Sequence, residues 1–170
     1  MEQSEIIVFW GIETLACWSP AVLGAIPINE CSKDFLQNVG MPREVGMTLR
    51  FGPQSDENQQ ILNPGNFLII GFDDFIPICL DVMNSRRIVA VEEEFETDKI
   101  RFINSSVELF AESLVYYERY RRLAIKASDK DIMEAISFTK DKLMVIDPLA
   151  FTDCESWWPV IIEQMEYGFL

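Results

Sequence analysis

The stretch FLIIGFDDFIPICLDVMNSRRIVAVE, Phe67 to Glu92, decides the fold class. Phe67 to Phe72 is a continuous apolar run of strand length, the pattern of a strand buried on both faces. Asp73-Asp74 is a turn signal, because Asp side chains hydrogen-bond the local backbone in turns. Ile76, Ile78, Leu80 and Val82 then alternate with Pro77, Cys79 and Asp81, which is strand period. Pro77 has no N–H to give a ladder, so it belongs at an edge or near the strand's start. Asn84-Ser85 marks the next turn, and Ile88 to Val91 a further strand. Short strands with short polar connections predict an antiparallel meander.

Working outward, Thr48 to Phe51 is a candidate strand, Gln54 to Gly65 reads as a polar loop, Glu92 to Asp98 as an acidic loop, and Arg101 to Ile103 as the last strand. Both flanks are helical. On the N-terminal side, Ser4 is positioned to cap a helix through Trp10 and Leu15. Ser32 is positioned to cap a short helix with Phe35, Leu36 and Val39, ended by Gly40 and Pro42. On the C-terminal side, Ser105 with Glu108 matches a capping box ahead of Val107, Phe110, Ala111, Leu114 and Tyr117. Ser128 with Asp131 precedes Ile132, Met133 and Ile136, and Asp147-Pro148 punctuates. Trp158, Ile161, Ile162, Met165 and Phe169 share one face of a final helix. Pro159 marks its first turn and Gly168 its end. The expectation is one α+β domain over residues 1–170. It has helices over 1–42, a central, mostly antiparallel sheet over 48–104, and helices over 105–170.

Composition narrows the function. Of 170 residues, 49% are hydrophobic and 12% aromatic, enough for a packed core. There is no histidine, which removes Ser-His-Asp and Cys-His catalysis and His-ligated zinc. Fourteen basic residues against 28 acidic ones leave a net charge of −14. Such a chain is repelled by nucleic-acid phosphates and anionic lipid, and its charged partner is expected to be basic. Cys17, Cys31, Cys79 and Cys154 form no C-x-x-C pair and read as reduced, mostly packed thiols. No basic n-region precedes Lys33, and Glu2, Glu5 and Glu13 occupy the first turns, so a cytoplasmic location is expected. Pro77 and the charged loop oppose edge-to-edge sheet pairing, so a monomer is expected, with a weak dimer as the alternative.

No catalytic constellation assembles. Glycines 40, 46 and 71 fit no phosphate-binding loop, and no cofactor is implied. Asp73, Asp74 and Asp81 are a conceivable carboxylate metal site, but local turn bonding explains them more simply. Arg119, Arg121, Arg122 and Lys126 beside Tyr116, Tyr117 and Tyr120 resemble a base-stacking surface, yet sit on a strongly acidic chain, where a helix C-terminus also attracts cations. Trp157 and Trp158 read as core anchors. Glu92, Glu93, Glu94, Glu96 and Asp98 form the densest acidic cluster. With Asp73 and Asp74 they are the candidate contacts for a basic partner.

Four segments carry a family resemblance: SKDFLQNVGMPRE (Ser32–Glu44), Phe67–Glu92 as quoted, FINSSVELFAESLVYY (Phe102–Tyr117) and WWPVIIEQMEYGFL (Trp157–Leu170). As a series they resemble the SUKH superfamily, related to the SMI/KNR family, and within it the fourth immunity-protein subfamily of bacterial toxin systems. The resemblance runs through Leu36, Gly40 and Pro42, then Gly71, Pro77 and Asp81, then Asn104-Ser105-Ser106 before Phe110, and Trp158. It implies an antiparallel sheet flanked by helices and no enzymatic activity. It also implies direct neutralisation of a cognate toxin, with nucleases and nucleic-acid deaminases as the expected kinds. The alternative is a regulatory or scaffold module of the same fold with no toxin partner.

Overall fold

The computed structural model describes residues 1–53, 61–62, 66–84, 87–92 and 99–168. The chain opens with α1 (Gln3–Trp10), β1 (Leu15–Ala16), α2 (Pro20–Gly24), α3 (Glu30–Asn38) and β2 (Met41–Pro42). The main sheet takes β3 (Glu44–Val45), β4 (Leu49–Phe51), β5 (Ile61–Leu62), β6 (Phe67–Asp73), β7 (Ile76–Asp81), β8 (Ile88–Glu92) and β9 (Lys99–Asn104). Then come α4 (Val107–Ala124), α5 (Asp129–Ile146), a 3-10 turn at Pro148–Phe151, and α6 (Trp157–Glu166). Strand order is β3-β4-β6-β7-β8-β9, with every pair antiparallel. The expected α+β meander is thus the fold.

Strand β6 is buried on both faces, as its sequence predicts. Leu68 and Ile70 enter the main core with Ile78, Leu80 and Val82. Phe67 and Ile69 join Cys79, Val89 and Val91 in a smaller cluster on the other face. Among the described residues, all six helices feed the main core and none enters the smaller cluster. Burial pushes the Cys79 thiol up to about 12.

A bulge at Ile70 breaks the β6–β7 register, which passes from Ile69↔Cys79 directly to Gly71↔Ile78. One extra residue flips the faces of everything after it. Phe72 therefore packs on the smaller cluster, and Asp73 turns toward α6. Gly71 makes room for β4: a Cβ there would lie 2.4 Å from the Phe51 ring and 2.5 Å from the Arg50 carbonyl oxygen.

The C-terminal helices are tied to β9 by a buried polar clamp. The Asp147 carboxylate accepts from Asn104 Nδ2 at 3.0 Å, from the Ser105 amide at 2.6 Å and from Ser105 Oγ at 2.9 Å. Asn104 Oδ1 in turn accepts from Trp158 Nε1 at 2.8 Å. Around Trp158, the Phe110 ring meets Phe51, Trp157 and Trp158 edge-on, a favoured geometry for aromatic quadrupoles.

Several sequence expectations are corrected. Ser105 is held by Asp147, so Ser106 caps α4, its Oγ accepting from the Leu109 amide. Asn29, not Ser32, caps α3, its Oδ1 accepting from the Ser32 amide at 2.9 Å. Glu2, not Ser4, opens α1, with Glu5 accepting from the Glu2 amide at 2.9 Å. That helix stops at Gly11, and Leu15 pairs with Pro42 in the two-stranded β1–β2 ladder. The N-terminal part is thus not purely helical. The stretch read as loop, Gln54 to Gly65, contributes β5 to β6; its other residues lie outside the described ones. Only Cys79 is packed; Cys17, Cys31 and Cys154 are exposed, and all four thiols are free. Ser128 caps α5 and Gly168 ends α6 with φ 74°, as read from sequence.

Candidate functional site

In an antiparallel meander, alternate connections gather at one end of the sheet. Here Leu49 pairs with Asp73, so the β3–β4 turn (46–48) and the β6–β7 turn (74–75) lie side by side. The Asp74 amide donates to the Thr48 carbonyl at 3.0 Å and ties the two tips together. The β6–β7 connection is a two-residue hairpin, Asp73 pairing with Ile76. Asp74 supplies the positive φ, 51°, at its first position, and Asp is among the few L-residues that tolerate this region.

The tips carry Phe75, 95% exposed, and Met47, 87% exposed. Behind them, between the hairpin and α6, is a cavity of about 350 Å³ whose lining includes Thr48, Asp73, Phe75, Tyr117, Trp157 and Gln164. Asp73 Oδ2 accepts from Trp157 Nε1 at 3.3 Å. Burial pushes the Tyr117 phenol up to about 12. Neither Asp73 nor Asp74 forms an ion pair among the described residues. Asp74 is exposed in the turn next to Phe75, whereas Asp73 is half-buried and engaged by Trp157.

The other proposed contacts distribute differently. Glu92 ends β8 at this same end of the sheet, because Ile78 pairs with Ala90 and Glu92 with Lys99. Its carboxylate is engaged by Arg101 at 2.9 Å. Glu93, Glu94, Glu96 and Asp98 lie outside the described residues. Asp81 sits at the far end of β7, about 16 Å from the Asp73 end by strand rise. The three aspartates considered as a metal site therefore do not converge. Among the described residues, no group of three or more His, Cys, Asp or Glu is arranged to hold a metal. Asp81 instead closes the β7–β8 turn. It accepts from the Met83 and Asn84 amides, from Asn84 Nδ2 and from Arg87 Nε. Burial alone would raise its pKa. The Asn84 hydrogen bonds and the Arg87 guanidinium outweigh that and hold its carboxyl below the ordinary value of 3.8.

The basic cluster on α4 is used internally. Arg119 lies over the Phe9 and Tyr116 rings and Arg122 over Phe9, docking α1 on α4. Arg121 and Arg122 both pair with Glu118 at 2.9 Å. Trp157 and Trp158 are buried, as anchors should be. Phe75 and Met47 were not singled out by sequence reading. The available signal was a large aromatic in a hairpin turn, where Asn, Gly or Asp is the ordinary choice.

A family model described as SUKH-4 immunity protein matches residues 5–164. The chain belongs to the SUKH-4 immunity protein family. No curated protein and no solved structure matches it. The residues that carry the SUKH resemblance all serve the scaffold. Gly40, with φ 77°, ends α3. Gly71 admits Phe51, Asp81 closes a turn, and Asn104 and Ser105 hold Asp147. Pro77 falls at the second residue of β7, beyond the Ile78–Leu80 segment that pairs with β8. The tips are a separate feature of this SUKH-4 chain, built on that scaffold. No helix among the described residues is long and apolar enough to cross a membrane.

Proposed function

We propose that this chain neutralises a cognate bacterial toxin by binding it directly, without turnover of its own. The observation that carries the reading is the SUKH-4 immunity match over residues 5–164. The net charge of −14 supports a basic partner surface, such as the nucleic-acid channel of a nuclease or a nucleic-acid deaminase toxin. An acidic face there blocks substrate entry and speeds encounter. The sheet end with Asp73, Asp74 and Glu92 is the proposed contact region, together with the sequence positions Glu93, Glu94, Glu96 and Asp98. On this reading the chain works as a single-domain monomer in the cytoplasm.

The test takes the C-terminal domain encoded by the gene adjacent to this chain's own as the candidate toxin. It is expressed in a bacterial host with and without the chain. Restored growth and co-elution of the two purified proteins are expected. Continued toxicity with no complex at micromolar concentrations refutes the reading.

A further inference from the structure

We infer that Phe75 and Met47 anchor the contact with the toxin, as two apolar knobs that enter an apolar recess rimmed by Arg or Lys. The inference rests on the immunity reading above and deepens it. Phe75 and Met47 are the two most exposed large apolar side chains among the described residues, at 95% and 87%. Exposed apolar residues scattered singly are ordinary. These two stand on adjacent hairpin tips tied by the Asp74–Thr48 hydrogen bond.

Neither knob serves the fold. A side chain that leaves almost all of its surface in water contributes almost nothing to the core, and Phe is not a residue that a two-residue turn requires. The tips are held by paired strands, so little backbone order is lost when a partner covers them. Asp74 adjoins Phe75 in the turn and Asp73 lines the cavity behind it, neither with an ion pair among the described residues, which selects a recess with a cationic rim. A central apolar or aromatic anchor within a charged rim is the usual composition of an energetic hot spot. A second copy of this chain fits poorly, because two bodies of charge −14 repel.

The experiment measures affinity between the full chain and the neighbouring toxin domain by calorimetry. Phe75→Ala is expected to weaken binding about thirty-fold or more and Met47→Ala by less, as for hot-spot truncations. Phe75→Leu is expected to restore part of the loss. Val8→Ala and Val145→Ala, exposed apolar positions on α1 and α5, are expected to stay within two-fold. Melting curves of all variants are expected to match the parent, which separates lost contact from lost fold. If the parent binds and both tip variants stay within two-fold, the inference falls and the immunity reading stands. Loss confined to the α1 or α5 variants has the same meaning. If the parent does not bind, the immunity reading falls and takes the inference with it. A dimer in sedimentation that Phe75→Ala dissociates also overturns it, because the tips then serve self-association.

Discussion

Replacing Asp147 tests how the C-terminal helices are held. Asp147→Ala removes the acceptor for three donors: Asn104 Nδ2, the Ser105 amide and Ser105 Oγ. Ser105 is half-buried, so water can reach its hydroxyl, but Asn104 is fully buried. Stranding a buried donor costs about 1–3 kcal/mol. The stranded Asn104 amide, the partly buried Ser105 N–H and a loosened Asn104–Trp158 bond therefore sum to about 3–6 kcal/mol. Relief from burying a carboxylate offsets part of this, leaving a net loss of about 2–4 kcal/mol. Asp147→Asn behaves differently. Its amide oxygen can take the Oδ2 position and keep both N–H bonds, while its NH2 faces a Ser105 hydroxyl free to rotate and accept. The expected loss is about 1 kcal/mol. Urea unfolding followed by tryptophan fluorescence reads both variants, and Trp158 sits in the clamp itself. At 2–4 °C per kcal/mol for a chain of this size, the Ala variant should also melt about 5–15 °C lower. Equal losses for Ala and Asn, or an Ala variant within about 0.5 kcal/mol of the parent, refute the account based on stranded donors.

Three other outcomes are expected. Gly71→Ala should destabilise by about 1–3 kcal/mol through overpacking, measured by the same urea titration. Adding Phe51→Leu should not restore the loss, because the Arg50 carbonyl oxygen still blocks the new Cβ at 2.5 Å. Asp81 has a lowered folded pKa, so its contribution to stability is present above the ordinary carboxylate value of 3.8 and is lost as pH falls through the lower folded one. Asp81→Asn should therefore be less stable than the parent by about 1–2 kcal/mol at pH 7, with the gap narrowing below pH 4 in acid unfolding curves; a constant gap contradicts the assignment. Asp74→Asn keeps a residue that tolerates the positive φ and removes one unpaired charge. Association with the toxin domain should slow about two- to three-fold at low ionic strength and be unchanged in 1 M salt, where screening acts within about 3 Å. Equal rates at both salt concentrations would remove Asp74 from the steering surface.

The sequence by itself determined the meander and the helices that cover it. Period-two alternation in Ile76–Val82, the apolar run of β6 and the spacing Trp158, Ile161, Ile162, Met165 are local patterns. They identify strands and helices because side-chain direction repeats with the backbone. Asp74 at the turn and Gly40 at the helix end were legible for the same reason, since each satisfies a backbone requirement within a few residues. Tertiary structure decided what joins distant residues. Ser105 and Ser106 are equivalent as caps in sequence; Asp147, some 42 residues on, claims the first and leaves the second to cap α4. The bulge at Ile70 leaves no mark in the alternation, because a strand apolar on both faces reads the same in either register. Yet it turns Asp73 toward Trp157, 84 residues away. The pairing of the Met47 and Phe75 tips likewise follows from β4 docking beside β6, a ladder between strands separated by a long connection. Local patterns specify which surface an element hides, while non-local pairing specifies which exposed residues become neighbours, and it is the latter that made the candidate site.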